Sequence, residues 1–569
     1  MNAEKWKKTI ASFNPTALLF YALIAWFVVA FLIYPNINIY YEIFFKGGKF
    51  SFEAAEKLLS SERAMRSLYN SFILAISLVF TVNIVGVTLV LISEYFDIKG
   101  AKVLRLGYCS TLIYSGVVLV SGYKFVYGEN GFMTKLLASL FPSFDTTWFH
   151  GYWAVLFVMT FACTSNHVLF LSNAIRKIDF QTVEAAKNMG ASTFYILWRV
   201  VLPVLKPTMF ALTILIFLTG LAATSAPLIL GGREFQTITP MILTFSNSVA
   251  SRDLAALLAL ILGLATLILL TIMIRFERKG NFMSVSKVKS ELVKQKINNK
   301  LGNIGAHVLA YFLFLLYLIP VVLIVVFSFT DAHSISTATL DSNSFSLSNY
   351  IQVFSKMSAF KPYLVSILYA AAASITVVAL ALAASRILHK FKNKWTFALE
   401  YALLIPWMLP STLIAIGLIV TFNTPRLIIW NSILVGTVWM LFLAYVIVHI
   451  PFTLRMVKAS FFSLDSNLED AAKNLGAKSF HTFRKVLLPI ILPSTLAVLA
   501  LNFNGILADY DLAVFLYHPL YQPLGIVIKN STDAQALADT KALTLVYSVV
   551  LMIMSSITLY FVYGRKSKS

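Results

Sequence analysis

The feature that most constrains the fold is a series of apolar runs of about 20 residues, the length that a helix needs to cross a bilayer. Hydrophobic residues make up 59% of the chain and charged residues 12%, against about a quarter in soluble domains. We therefore predict an all-α integral membrane protein with about 12 transmembrane helices. The predicted spans, numbered in order, are residues 16–35, 68–95, 103–127, 150–175, 208–231, 253–275, 305–330, 361–387, 396–422, 431–454, 494–517 and 542–563. Pro and Gly interrupt the third and ninth.

The net charge of +21 is an orientation signal. If the N-terminal Lys5, Lys7 and Lys8 lie in the cytoplasm and each run crosses once, most Lys and Arg fall in inner segments, whereas the acids divide between both faces. This is the positive-inside pattern. It predicts a multi-pass protein in contact with membrane lipid, with both termini in the cytoplasm, and no nucleic-acid partner is needed to explain the charge.

One polar stretch occurs twice. Residues 183–207 read VEAAKNMGASTFYILWRVVLPVLKP, residues 468–493 read LEDAAKNLGAKSFHTFRKVLLPIILP, and a shift of 286 positions superposes them from Glu184 on Asp470. The duplication divides the chain into a first repeat, 1–275, a basic cytoplasmic linker, 276–304, and a second repeat, 305–569. With six spans in each, the repeats are predicted to run parallel, related by a twofold axis along the membrane normal.

Each polar stretch is predicted to form two short helices around a glycine, Gly190 or Gly476, in the left-handed conformation that ends a helix. Apolar or small residues before the glycine share one helix face and need a covering surface; they are Ile178, Thr182, Ala185 and Met189, matched by Leu464, Leu468, Ala471 and Leu475. A plain amphipathic connector on the inner leaflet explains one copy. Two copies at equivalent positions favour docking of the same partner twice.

The pattern E-A-A, three residues, G-A, then L-P-x-x-x-P resembles the coupling loop of permease subunits of binding-protein-dependent ABC importers. The resemblance implies a type I importer fold in a bacterial cytoplasmic membrane, with coupling loops at 176–207 and 455–493. It also implies two copies of a separate ABC ATPase and an extracytoplasmic solute-binding protein as partners. The docking residues it implies are Glu184, Ala185, Ala186, Gly190, Glu469, Asp470, Ala471, Ala472 and Gly476. Asp470 departs from the glutamate of the pattern, so the two docking sites need not be equal.

The chain has no G-x-x-x-x-G-K-[ST] phosphate loop,. We therefore predict a transport subunit that is not an enzyme and binds no cofactor, with ATP and Mg²⁺ on the partner ATPases. No metal-ligand spacing is present, and H-E-x-x-H and G-x-S-x-G are absent,. An ion-coupled secondary transporter remains the alternative class, since it also has 12 spans in two halves.

Polar residues within the predicted eleventh span are candidates for a translocation pathway. Asn502 shares a helix face with Asp509, and Asn504 with Asp511, because residues seven apart lie on one face. The shift of 286 relates Asp511 to Ser225. The alternative is that the acids are hydrogen-bonded structural groups near the outer end. The predicted pathway residues are Asn502, Asp509, Asp511 and Ser225.

Residues Ala226–Gly232 and Leu507–Pro519 resemble segments of fused permeases in the ferric-iron group, whose members also carry thiamine, polyamines, aminoethylphosphonate or sugar phosphates. Acids without a basic partner in the eleventh span favour a cationic cargo. Ferric iron is therefore the first prediction, with those other solutes as alternatives.

Overall fold

The computed structural model describes residues 22–46, 48–114, 116–176, 178, 180–279, 293–297, 299–390, 393–462, 464, 467–533 and 536–563. The N-terminal and C-terminal residues that are predicted to be cytoplasmic lie outside these ranges, as does much of the predicted linker. Within them the chain is almost entirely helical, with one short antiparallel hairpin of β1 (Phe45–Lys46) and β2 (Lys49–Phe50).

The α-helices of the first half are α1 Tyr34–Phe44, α2 Glu53–Ser60, α3 Glu62–Val90, α4 Ala101–Tyr108, α5 Gly116–Tyr127, α6 Phe132–Leu140, α7 Gly151–Ile175, α8 Phe180–Asn188, α9 Thr193–Ile196, α10 Leu202–Leu221, α11 Ser225–Leu230, α12 Ile238–Ser246 and α13 Arg252–Lys279. Those of the second half are α14 Lys300–Ser328, α15 Ala332–Thr337, α16 Ser348–Ser355, α17 Met357–Lys390, α18 Lys394–Met408, α19 Ser411–Phe422, α20 Val438–Phe462, α21 Asn467–Asn474, α22 Ser479–Thr482, α23 Leu488–Leu507, α24 Ala513–Leu516, α25 Leu524–Ser531 and α26 Ala538–Tyr563.

Ten helical segments are long and apolar enough to cross a membrane, and two bent pairs raise the number to 12 if each pair is one span. These 12 segments correspond in order to the predicted runs. The first span was predicted to end at Pro35, which is wrong, because the helix continues to Phe44. Pro35 lies at the start of α1, directly after the π-helical turn Val28–Ile33, whose wider geometry accommodates a residue without an N–H,.

The two predicted runs that Pro and Gly interrupt are each broken by a sharp bend. Span 3 consists of Ala101–Leu112 and Gly116–Leu140, bent by 112°, and span 9 of α18 and α19, bent by 106°. Pro410 causes the second break, since a residue before proline is forced out of the helical region. Leu409 accordingly has φ −111° and ψ 138°.

The two halves have the same helix arrangement. The first span of each half packs against the other half. In the first half α3 packs on α7 and α10, and in the second α17 packs on α20 and α23 at the corresponding positions. The first span of each half lies against the third span of the other, so α1 packs on α19 and α14 on α5. The Trp26 indole N–H donates to the carbonyl of Ile428 at 2.9 Å, and the Tyr108 hydroxyl donates to the carbonyl of Ala310 at 2.8 Å. The largest hydrophobic core therefore includes residues of both halves.

Candidate functional site

The two predicted coupling loops, residues 176–207 and 455–493, are called coupling regions below. Their glycine turns have the same backbone conformation. In the first, the chain turns away from α8 at Gly190, two residues after the helix ends, where the amide of Gly190 donates to Lys187 O at 2.9 Å and the amide of Ala191 to Ala186 O at 3.1 Å. In the second, it turns away from α21 at Gly476 with the equivalent pair of bonds at 2.8 and 3.0 Å. Their φ angles of +84° and +80° are left-handed, so the predicted glycine-terminated helices are confirmed, in the Schellman geometry.

Near the end of each coupling region, a wide helical turn leads into the following membrane helix. The short helices α9 and α22 continue into π-helical turns, Leu197–Val201 and Phe483–Leu487, and then into α10 and α23. Pro203 and Pro489 lie at the start of these long helices, where a residue without an N–H is tolerated,. The helices α9 and α22 are therefore helically continuous with spans 5 and 11, whereas the turns at Gly190 and Gly476 separate them from α8 and α21.

The predicted apolar face points outward over most of its length. The apolar side chains of Met189 and Leu475, which directly follow the polar helices α8 and α21, are 81% and 89% exposed. Of the predicted docking residues, six lie on exposed parts of the two copies: Glu184, Ala185, Gly190, Asp470, Ala471 and Gly476. The structure places Ala186 and Ala472, each 8% exposed, on the inward face.

Glu469 also turns inward, which sequence reasoning missed. Its carboxylate accepts hydrogen bonds from both terminal nitrogens of Arg386 on α17, and the His389 ring lies 3.8 Å away. Burial by itself raises the pKa of Glu469, but the hydrogen bond and charge of Arg386, together with the charges of His389 and Lys473, outweigh burial and lower the pKa below its ordinary value,. In the first copy the equivalent residue is Val183, fully buried in an apolar cluster with Ile178 and Ile196.

The predicted eleventh span is not one helix, so the pairing of Asn502 with Asp509 and of Asn504 with Asp511 on common faces is wrong. The helix α23 ends at Leu507. The Asp509 carboxylate accepts hydrogen bonds from the amides of Leu512 and Ala513 at 3.3 and 3.1 Å and from the Tyr445 hydroxyl at 3.1 Å. An aspartate that binds nearby amides offers the backbone an alternative to the helix.

Asp511 meets its own counterpart from the first repeat. The Ser225 hydroxyl donates to Asp511 Oδ1 at 2.6 Å, and the two residues are separated by the repeat shift of 286. Equivalent residues of a twofold arrangement touch only near its axis, so this contact marks where the halves meet at the ends of spans 5 and 11. Asn502 lies elsewhere, 2% exposed, and its amide donates to Thr453 Oγ1 at 2.7 Å.

Comparison with known families and relatives agrees with this duplicated architecture. A family model described as "Binding-protein-dependent transport system inner membrane component" matches residues 9–278 and 378–566. Each matched stretch contains one coupling region.

The Sinorhizobium fredii protein named "Probable ABC transporter permease protein y4fN" is 38% identical over 94% of this chain and 93% of its own length. "Ferric transport system permease protein FbpB" of Actinobacillus pleuropneumoniae is 23% identical over 93% of this chain and 76% of its own length. Among solved structures, a bacterial ABC transporter involved in the import of the acidic polysaccharide alginate matches 49% of this chain and 99% of that chain, with 18% identity and a TM-score of 0.40.

The matched family covers most of both halves, and one relative is similar over nearly its whole length. The chain therefore belongs to the inner membrane permease components of binding-protein-dependent ABC importers, with two permease repeats joined in one polypeptide.

Proposed function

We propose that this permease imports a small solute, with energy from two copies of a separate ABC ATPase that bind the exposed faces of α8 and α21. An extracytoplasmic solute-binding protein delivers the solute. The single observation that supports this most is the duplication of one exposed coupling conformation, with Met189 and Leu475 left uncovered at equivalent positions. Exposed apolar side chains on a polar segment are typical of a protein interface.

The helical continuity of α9 with span 5 and of α22 with span 11 suggests how ATP hydrolysis moves the halves. Force applied at α8 passes through the turn at Gly190 into α9 and α10, and force applied at α21 passes through the turn at Gly476 into α22 and α23. At their far ends these helices lead to Ser225 and Asp511, where the halves touch. Movement of the two ATPases would thus change the contact between halves, as in transporters whose halves rock about a central site.

The orientation follows from charge. Basic residues concentrate in the coupling regions, the linker and both chain ends, and short loops rich in Lys and Arg remain in the cytoplasm. Linker residue Gln295 contacts Lys187 of α8 at 2.9 Å, so linker and coupling region share a side. We place both in the cytoplasm of a bacterial cell, together with both termini.

Ferric iron is the proposed cargo. One relative over 93% of this chain is named for ferric transport, and Asp511 offers a carboxylate where the halves meet. Thiamine, polyamines, aminoethylphosphonate and sugar phosphates are the competing cargoes. Because Asp511 is already hydrogen-bonded by Ser225, we propose that it lies along the path of the cargo and is not a site of tight binding.

Reconstitution tests this proposal. The chain is purified with its ATPase, placed in vesicles with the binding protein, and supplied with ferric citrate, putrescine, thiamine, aminoethylphosphonate or glycerol phosphate in turn. We expect the ATPase to copurify and ferric citrate alone to stimulate ATP hydrolysis and enter the vesicles. Stimulation by another of these solutes, without iron, would show that the cargo is wrong. Uptake driven by an ion gradient in vesicles without ATPase would show that the mechanism is wrong.

A further inference from the structure

The end of the linker is built into the first half of the molecule. The amide of Gln295 donates to the carbonyl of Tyr95 at 2.8 Å, and the amide of Asp97 donates back to the carbonyl of Gln295 at 3.0 Å. The Lys294 ammonium donates to the carbonyl of Ser93 at 2.8 Å, near the C-terminal end of the span-2 helix, where a cation is favourable. Residues 293–297, called the linker strap below, are therefore held in one register against the inner end of span 2.

The Gln295 side chain reaches from the linker strap to the first coupling helix. It is 4% exposed. Its amide oxygen accepts from Lys187 Nζ at 2.9 Å and its amide nitrogen donates to Val293 O at 2.7 Å, so both ends of the amide are satisfied. Removing the bond to Lys187 would leave a buried acceptor unpaired, which is costly.

The linker strap also leads directly into the second half. The helix α14, which is span 7, begins at Lys300, three residues after the strap. Its first turns contact the same loop of the first half, because the Lys99 amide donates to His307 Nε2 at 3.2 Å and the Tyr311 hydroxyl donates to Lys99 O at 2.9 Å. One short stretch of chain thus joins the first coupling helix to the first span of the second half.

The second coupling helix is held differently. Lys473, the counterpart of Lys187, bonds to Asp470 on its own helix at 3.1 Å. The inward face of α21 is held by the ion pair of Glu469 with Arg386, a residue of the same half. The repeated sequence therefore has two distinct attachments.

We propose that Gln295 is a positioning residue: through Lys187 it holds the first coupling helix to the linker strap, so that α8 and α14 move together when the ATPases close. This inference rests on the proposed function, since it takes α8 to be an ATPase docking helix. The first ATPase would then move both halves, whereas the second would act on its own half alone.

The test measures distances by pulsed electron paramagnetic resonance in the full chain bound to its ATPase. Spin labels are placed at Asn188→Cys, an exposed position of α8, and at Leu301→Cys on α14, with Cys109 and Cys163 replaced by alanine. In the unaltered chain we expect the same distance distribution without nucleotide and after trapping with ATP and vanadate. In Gln295→Leu we expect the trapped complex to give a longer and broader distribution.

Three controls separate positioning from general damage. Gln295→Glu loses the donor to Val293 O but keeps the acceptor for Lys187, so it should preserve the distances of the unaltered chain. Lys187→Met removes the same bond from the other side and should reproduce the change, whereas Lys473→Met should not. A second label pair, Asn474→Cys on α21 with Leu301→Cys, should change its distance on trapping in every variant, because the second coupling helix lacks the strap.

The outcomes distinguish this inference from the proposed function. If no ATPase copurifies with the unaltered chain, the proposed function fails. If trapping moves the 474–301 pair but the 188–301 distance changes equally in the unaltered chain and in Gln295→Leu, the strap does not couple α8 to α14 and only this inference is overturned.

Discussion

At the scale of single residues, the two copies of one motif differ most where they face inward. Val183 in the first copy contributes apolar packing, and Glu469 in the second contributes a half-buried ion pair with Arg386. The apolar packing and the ion pair each hold the inward face of a short helix whose opposite face is exposed. A motif match alone identifies neither, because Arg386 lies 83 positions away along the chain.

Arg386→Ala is expected to loosen the second coupling helix alone. It leaves the Glu469 carboxylate without its guanidinium partner, at a cost of about 1 to 3 kcal/mol. Hydrogen exchange measured by mass spectrometry should then accelerate in Asn467–Asn474 and stay unchanged in Phe180–Asn188. Since the folded-state pKa of Glu469 is lowered, the stabilisation is present above the ordinary carboxyl pKa and is lost as the pH falls through the lowered value,.

The matched control gives position 469 the valine that the first copy has at the equivalent position. Replacing Glu469 by valine and Arg386 by leucine together removes both charges and should recover most of the protection, because apolar pairs can substitute for buried ion pairs. Faster exchange in the double variant than in Arg386→Ala would contradict an electrostatic role for the pair.

At the scale of elements, the glycine that ends each coupling helix has a conformational role. A methyl group added at Gly190 or Gly476 would meet nothing within 4 Å, so the chain itself leaves room for a side chain. The cost of substitution lies in the left-handed φ, which alanine adopts poorly and asparagine more readily. Either this backbone conformation or close approach of the ATPase could require glycine.

Substitution at Gly476 distinguishes these two requirements. If conformation is what matters, Gly476→Ala should weaken ATPase binding by about 1 kcal/mol, or about fivefold, and Gly476→Asn should weaken it less. The affinity of the purified ATPase for the chain in nanodiscs measures this. Binding that falls further with asparagine than with alanine would instead indicate close approach of the partner to the glycine.

At the scale of the whole molecule, three of the connections between the halves bear on their relative movement. Their first spans are exchanged, the linker strap ties the first half to α14, and Ser225 meets Asp511 at the far ends of spans 5 and 11. The first two connections involve many contacts between the halves. The third is one hydrogen bond between two side chains, and we expect it to break when the halves change their relative position.

Ser225→Ala is expected to raise the ATP hydrolysis of the complex in the absence of binding protein. It removes a hydrogen bond to a charged group, a contribution of about 1.5 to 3 kcal/mol, and so favours separation of the halves at this point. Asp511→Asn keeps an acceptor oxygen and should change the rate less. The matched control is Thr219→Ala, which removes a hydroxyl that donates to Leu215 O of its own helix at 2.8 Å. A rate unchanged by Ser225→Ala would show that this contact does not restrain the halves.

The sequence by itself determined the class of protein, the number and order of its spans, the duplication and the glycine-terminated coupling helices. All of these depend on local composition, on hydrophobic run length, or on comparison of the chain with itself. Tertiary structure decided what depends on distant partners. Examples are the inward turn of Glu469 toward Arg386, the contact of Asp511 with Ser225 and the attachment of Gln295 to Lys187. Tertiary structure also decided that the helix ends at Leu507, after which Asp509 accepts hydrogen bonds from backbone amides. A polar side chain in an apolar chain must find a hydrogen-bond partner, and only the folded arrangement of helices determines which partner is within reach.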